Sequence, residues 1–224
     1  MRLPPICLGC HAVPVRFLQR IRELCDQHGI VMIADEVQCG CGRTGRLFAV
    51  EHYGIVPDLI VSAKSLGAGM PIGAVTGRAE IMDLLAPLGP VYQAGTLSGN
   101  PLALAAGIAA LRLLDETNPY AALHRSGAQI RTAVLAAAAA KGLPVQVPQF
   151  GSMFSIFFNP SPVTDLASAT SSDSKLYGRF FHACLARGVY LAPSAYEAAF
   201  LSTAHDAAVV DRACEILSAA LAEL

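Results

Sequence analysis

The sequence has little charge, no long apolar run and no recognisable leader. Charged residues make up 15% of the 224 residues and the net charge is −1, so we expect neither a nucleic-acid surface nor an acidic solvating tail. The apolar stretches are short and are broken by Gly, Pro or charged residues, which predicts that no segment spans a membrane. The first residues lack a signal-peptide pattern.

Seven cysteines are an odd number for a disulfide framework, and their spacing suggests none. Reduced thiols in the cytoplasm are therefore expected. Cys7, Cys10 and His11 match the pattern of covalent haem attachment, which we interpret as chance because nothing indicates export. Cys7, Cys10, Cys25 and His28 could bind zinc by residue type, but they lack a second close pair, so no metal site is predicted.

Hydrophobic residues make up 54% of the chain, enough for a sizeable core. Apolar residues at helical spacing predict a helix over 15–28, which Gly29 ends. Continuous apolar runs over 30–34, 59–63 and 73–77 indicate strands covered on both faces. This alternation predicts an α/β domain with a largely parallel sheet. Asp35 and Lys64 follow two of these strands, where ligands of such sheets bind.

The hydrophobic pattern of the sequence changes after Pro144. The predicted elements around it are helices over 101–116 and 120–141, strands within 145–158, a Ser- and Pro-rich loop over 159–174, a helix over 175–187, a strand over 189–191 and a helix over 207–224. We therefore predict a domain over 1–144 and a smaller α+β domain over 145–224.

A lysine buried at a strand end is costly unless it is neutral, paired or used covalently. Desolvation lowers the pKa of such an amine and favours Schiff-base chemistry, and a neighbouring carboxylate could keep a pyridine nitrogen protonated. Lys64 and Asp35 would suit these two roles. The alternative from the residues alone is structural, with Lys64 paired to a carboxylate such as that of Asp58.

Longer motifs surround these residues. They read IADEVQ over 33–38, GRTG over 42–45, EHYG over 51–54, PD at 57–58, AKSL over 63–66 and GMPIGA over 69–74. In order and spacing they resemble the class III pyridoxal-phosphate (PLP) aminotransferases. Residues 17–82 are especially similar to 4-aminobutyrate and acetylornithine aminotransferases. Residues 88–101, 177–182 and 187–197 resemble glutamate-1-semialdehyde 2,1-aminomutase.

The resemblance implies part of a fold type I PLP-transferase large domain, followed by a smaller C-terminal domain. It implies that Lys64 binds the cofactor covalently and that Asp35 pairs with its pyridinium nitrogen. Val37 and Gln38 would join the cofactor site, with Gln38 against the phenolic oxygen of the ring.

Other implied roles lie further along the chain. Thr96, with the backbone of Gly95, would bind the cofactor phosphate of a neighbouring subunit, so a homodimer is expected. Glu197 matches a glutamate near the aminomutase active site and is a candidate substrate residue. His52 and His205 are expected to be structural, because the lysine transfers protons in this family.

The resemblance implies an aminomutase that moves an amino group between adjacent carbons of a small amino acid or aldehyde. A rival is an ω-amino acid aminotransferase that uses 2-oxoglutarate. Family members are about twice as long, and the first half that grips the phosphate and stacks on the ring is absent here. A split enzyme, a truncated product or a non-catalytic scaffold therefore stays open.

Overall fold

The computed structural model describes residues 9, 10 and 12–224, which form two compact units. The first unit is Val13–Asn118, and the second is Pro119–Leu224 with residues 9, 10 and 12. The division therefore falls after residue 118, whereas the sequence predicted a boundary after residue 144. The difference arises because helix α4 packs against helix α7 within the second unit. Cys7 and His11 of the haem-like pattern lie outside the described residues.

The first unit alternates helices and strands. Its elements are α1 (Val15–His28), β1 (Ile33–Asp35), a 3-10 helix (Ala49–Tyr53), β2 (Leu59–Ala63), a 3-10 turn (Lys64–Gly67), β3 (Gly73–Gly77), α2 (Ala79–Met82) and α3 (Pro101–Thr117). The helix predicted over 15–28 is confirmed, and it ends at Gly29 in the left-handed conformation with φ 62°. The strands predicted over 59–63 and 73–77 are also confirmed.

The three strands of this unit form one sheet in the order β1-β2-β3. β1 and β2 are parallel, with Asp35 opposite Val61. β3 is antiparallel to β2, so the predicted parallel character holds for one of the two pairs. β1 is shorter than predicted because the ladder to β2 begins only at Ile33, after Met32 accepts the backbone N–H groups of Asp58 and Leu59.

The sheet is not covered on both faces, and this prediction is wrong for the described chain. Ile33 in β1 is 44% exposed and Val75 in β3 is 50% exposed. Apolar strand residues with this exposure belong to a sheet face that the described part of the first unit covers only partly. None of the described helices combines the length and hydropathy needed to cross a bilayer.

The second unit is an α+β arrangement. Its elements are α4 (Tyr120–Ala140), β4 (Val145–Gln146), β5 (Gln149–Phe150), β6 (Met153–Phe154), β7 (Phe157–Phe158), α5 (Leu166–Thr170), α6 (Ser174–Ala186), β8 (Ala199–Phe200) and α7 (Ala207–Ala222). β4 pairs with β7, and β6 lies between β5 and β8, all antiparallel.

The core of the second unit lies between its helices and short strands. Fully buried members include Val134 of α4, Phe180 of α6 and Leu221 of α7. The strand predicted over 189–191 is wrong, because these residues pair with no strand and run as an irregular segment. Within the predicted loop over 159–174 the chain forms the short helix α5, which begins at the capping residue Asp165.

Candidate active site

Lys64 lies directly after strand β2, as the first residue of a 3-10 turn that ends at Gly67. Its φ is 52°, in the left-handed region that residues other than glycine rarely adopt. The expected burial of Lys64 is wrong for this chain, since its side chain is exposed. The reason is that β2 ends at Ala63 and that α3, which packs on the turn, leaves the side chain of Lys64 uncovered. The side chain of Lys64 makes no hydrogen bond or ion pair with another described residue.

Asp35 lies at the end of β1, beside β2. It pairs in register with Val61, three residues before Lys64, so both residues follow the carboxyl ends of neighbouring parallel strands. Asp35 is half-buried, and its Oδ1 accepts the backbone N–H of Val37 at 3.0 Å. The sheet therefore brings a carboxylate and an amine to the same edge, as the sequence predicts.

Asp58 is engaged elsewhere, which removes the structural alternative for Lys64. Its Oδ2 accepts the N–H of Met32 at 2.7 Å and a guanidinium N–H of Arg22 at 2.8 Å. Its Oδ1 accepts a guanidinium N–H of Arg78 at 3.0 Å. The carboxylate of Asp58 thereby joins α1 to Met32, which precedes β1, and to Arg78, which follows β3. It is not a partner for Lys64.

The segment after Asp35 turns back toward the 3-10 helix. The backbone N–H of Gly40 donates to the carbonyl of Glu36 at 2.8 Å, and Arg43 donates to the carbonyl of Gln38 at 3.1 Å. Burial lowers the pKa of Arg43. Gln38 is half-buried, as is Val37. These contacts fix the backbone on which Val37 and Gln38 lie, next to Asp35.

Glu36 is a buried ionisable group beside Asp35 to which the sequence patterns gave no role. It is 1% exposed, and its Oε1 accepts the N–H of Val50 at 2.8 Å. Its Oε2 has no partner among the described residues. Burial raises the pKa of Glu36, opposed by backbone N–H groups. The only signal in the sequence is its place after a strand in the pair Asp35-Glu36, which does not distinguish a buried side chain from an exposed one.

Gly95 and Thr96 form an exposed turn before helix α3. The N–H of Ser98 donates to the carbonyl of Gly95 at 2.9 Å, which closes the turn. Asn100 then caps α3 by accepting the N–H groups of Leu102 and Ala103. Gly95 lines a cavity of about 340 Å³ with Asn100, other turn residues and the start of β3. A hydroxyl in a turn before a helix N-terminus suits an anion.

Three further residues singled out by the sequence are Glu197, His52 and His205. Glu197 is an exposed residue of the second unit, and its backbone carbonyl accepts the hydroxyl of Ser155 at 3.1 Å. His52 contacts Thr44 through its Nε2, and its pKa is lowered by burial and by Arg46. His205 contacts Ser202. Both histidines fit the structural role that the sequence predicts.

Comparison with known proteins identifies the family. Residues 8–221 match the model of the class-III aminotransferases. The chain belongs to this family. The resemblance that the sequence motifs suggested is thus confirmed. Class-III aminotransferases are PLP-dependent enzymes.

Two relatives are named glutamate-1-semialdehyde 2,1-aminomutase. The protein from Opitutus terrae (strain DSM 11246 / JCM 15787 / PB90-1) is 66% identical over 208 residues, which cover 93% of this chain and 49% of that protein. The protein from Anaeromyxobacter dehalogenans (strain 2CP-1 / ATCC BAA-258) is 50% identical over 84% of this chain and 44% of its own length. The chain spans about half the length of these relatives.

Solved structures of transaminases share the fold. An omega-transaminase from Sphaerobacter thermophilus has a TM-score of 0.84 and 31% identity, and the match covers 96% of this chain and 49% of that one. A transaminase with PLP bound has a TM-score of 0.79 and 29% identity over 93% of this chain and 47% of its own. The predicted fold type I architecture is confirmed.

The residues present fit the cofactor of this family. PLP needs an amine that can attack a carbonyl and a carboxylate that can hold a proton on a pyridine nitrogen. Lys64 supplies an amine without an ion pair to any described residue. Asp35 supplies a carboxylate from the adjoining strand end, oriented by the N–H of Val37.

Proposed function

We propose that this chain takes part in PLP-dependent amino-group transfer of the glutamate-1-semialdehyde 2,1-aminomutase type. The observation that carries the proposal is the 66% identity to a relative of that name over 93% of the chain. The matched stretch contains the strand ends on which Asp35 and Lys64 lie. The substrate would be a small amino acid or aldehyde whose amino group moves to the neighbouring carbon.

Each residue of the site would have a separate task. PLP supplies a carbonyl and an electron-withdrawing pyridine ring when it is bound. The Nζ of Lys64 would hold that carbonyl carbon covalently, with loss of water, and, once the substrate amine has displaced it, the freed amine would take and return a proton at the substrate carbon. The carboxylate of Asp35 would keep the proton on the pyridine nitrogen. Val37 and Gln38 would contact the ring, with Gln38 at its phenolic oxygen.

The phosphate would be bound by the turn before α3. We assign the hydroxyl of Thr96 and the backbone of Gly95 to the phosphate of a neighbouring subunit's cofactor, which implies a homodimer. The apolar residues Leu88, Tyr92 and Leu97 support this, being 78%, 82% and 55% exposed along the same segment. Glu197 is assigned to the substrate by its likeness to the aminomutase pattern.

A cytoplasmic location is proposed on the state of the thiols. Cys10, Cys25, Cys39, Cys41, Cys184 and Cys214 are the described cysteines; each is a thiol outside any disulfide, and five of these six are buried. Buried free thiols without disulfides are typical of proteins that fold in a reducing compartment.

An ω-amino acid aminotransferase is the second candidate, favoured by the TM-score of 0.84 to an omega-transaminase. Turnover separates the two activities. The aminotransferase requires a keto acid as second substrate, whereas the aminomutase converts its substrate alone. A chain that binds PLP and turns over neither substrate would support a scaffold, or one half of an enzyme that needs a second polypeptide.

The first experiment is reconstitution of the purified chain with PLP. We expect a visible absorbance band that borohydride bleaches, with the reduced adduct on the peptide that contains Lys64. Lys64→Ala should abolish the band, and Lys175→Ala, which removes an exposed lysine of the second unit, should retain it. A wild-type chain that stays colourless with added PLP contradicts the proposal for this chain.

A further inference from the structure

Helix α3 packs against the Lys64 turn and buries two small residues. Ala103 and Gly107, four residues apart and therefore on one face, are the buried residues of this helix. A Cβ on Gly107 would lie 2.7 Å from the carbonyl oxygen of Leu66, which is inside the Lys64–Gly67 turn. Carbon and oxygen do not approach so closely without displacement, so only glycine permits this contact between helix and turn.

The turn has little freedom to move away from such a displacement. On its other side, a Cβ on Gly67 would lie 2.7 Å from Cγ2 of Ile72. The N–H of Ala68 donates to the carbonyl of Ser65 at 3.2 Å, and the N–H of Met70 donates to the carbonyl of Gly67 at 2.9 Å. The atom that would have to shift is a backbone carbonyl held between helix α3 and the chain that leads into β3.

Lys64 depends on these surroundings. It is two residues before Leu66, and its φ of 52° is unfavourable for a side chain with a Cβ. A strained residue keeps its conformation only where neighbouring structure enforces it. The contact of α3 with the carbonyl of Leu66 is such an enforcing contact, since α3 packs directly on the turn.

We propose that Gly107 is a positioning residue for Lys64. Close approach of α3 at Gly107 holds the turn, and the turn sets the direction in which the amine of Lys64 leaves the end of β2. The inference rests on the proposed role of Lys64 as the cofactor lysine. It adds a residue 43 positions further along the chain that acts through the backbone of Leu66.

The composition of the chain allows a test that needs no turnover. The sequence contains three lysines, Lys64, Lys141 and Lys175, and Lys64 is the only one in the first unit. Competitive acetylation with acetic anhydride, read by peptide mass spectrometry, reports the reactivity of each amine. The exposed Lys141 and Lys175 serve as internal references. Borohydride reduction with PLP then measures adduct formation at Lys64.

The variant is Gly107→Ala in the full chain. We expect the acetylation rate of Lys64 relative to both reference lysines to change at least threefold and the PLP adduct at Lys64 to fall about tenfold, since a displacement of about 1 Å can have effects of this size or larger. Gly178→Ala on α6 is the matched control, because a Cβ there meets nothing within 4 Å. It should change neither readout.

The outcomes separate the inference from the proposed function. A folded Gly107→Ala protein whose Lys64 has wild-type reactivity and forms the adduct normally overturns the inference. If Gly107→Ala does not fold, Ala103→Gly decides, because it removes a buried methyl group from the face of α3 that carries Gly107 and adds no atom. Unchanged Lys64 reactivity in that variant overturns the inference. Failure of the wild-type chain to form any adduct contradicts the proposed function, while the acetylation rates still test the contact.

Discussion

Asp58 and Arg22 form a buried ion pair, with Oδ2 of Asp58 2.8 Å from Nη1 of Arg22. The two side chains are 8% and 14% exposed. The N–H of Met32 and the guanidinium groups of Arg22 and Arg78 hold the pKa of Asp58 well below its usual range. Asp58 precedes β2 directly, so this pair fixes the start of the strand that carries Lys64 at its far end.

Asp58→Asn should destabilise the first unit by about 2 kcal/mol, because it weakens the charge-assisted hydrogen bonds from Met32, Arg22 and Arg78. A depressed folded-state pKa contributes stability above the unfolded pKa of about 3.9, and this contribution is lost as the pH falls through the folded value. Thermal melting from pH 7 to pH 2 should therefore show a smaller acid-induced loss in the variant. Asp26→Asn, at an exposed partner of the same arginine, is the control. Equal melting of the two variants would contradict the prediction.

Glu36→Gln should increase stability at neutral pH by about 1 kcal/mol, because a neutral amide costs less to bury than a carboxylate. The amide oxygen can still accept the N–H of Val50. The pKa of Glu36 is raised in the folded protein, so wild-type stability is highest below the unfolded pKa and falls as the pH rises toward the folded value. The advantage of the variant should therefore grow from pH 4 to pH 8 in thermal melts.

Glu116→Gln, on an exposed part of α3, is the control for Glu36→Gln and should show no such pH dependence. A difference between Glu36→Gln and wild type that stays constant across this pH range would mean that the carboxyl of Glu36 does not change its ionisation on folding.

Lys64→Gly should be more stable than Lys64→Ala by about 1 kcal/mol, because glycine adopts positive φ without a steric cost. This reverses the usual order of the two residues. Lys141 provides the matched comparison, since its φ is −103°, and there alanine should be the more stable replacement. Melting temperatures of the four variants check the prediction, which fails if alanine is the better residue at both positions.

Native alkylation at pH 8 should modify Cys214 well before Cys10. Burial raises the pKa of Cys10 to about 12. Its sulfur donates to the carbonyl of Met153 at 3.7 Å, and it is 1% exposed. Cys214 is half-buried. Iodoacetamide labelling with peptide mass spectrometry gives the order, and equal rates for the two thiols would contradict the burial of Cys10. A thiol in this position is also poorly placed for the haem attachment that its pattern suggested.

The sequence predicts the elements of the first unit well because their signals are local. Helix α1 has helical apolar spacing and a glycine at its end, and the run over 59–63 has the β-branched composition of a strand. The position of Asp35 and Lys64 at one sheet edge follows from the same signals, since parallel strands place their carboxyl ends together.

Features that depend on non-local contacts were not predictable. Lys64 and Ile33 are exposed because the other described elements leave their side chains uncovered. The composition of a strand does not show which elements pack over it. The boundary between the units falls after residue 118 because α4 packs on α7. The change of composition after Pro144 indicates a loop, but it does not show which helices and strands pack together. The close approach of Gly107 to Leu66 joins residues 41 positions apart, and a glycine inside an Ala-rich helix gives no sign of its partner.

The left-handed conformation of Lys64 also has a consequence for the evolution of position 64. Most replacements at an ordinary position reduce stability, yet at position 64 a change to glycine would relieve backbone strain and raise it. A lineage released from selection for amine chemistry would therefore gain stability by replacing this lysine with glycine. Only a benefit that outweighs that gain would keep a lysine at the end of β2.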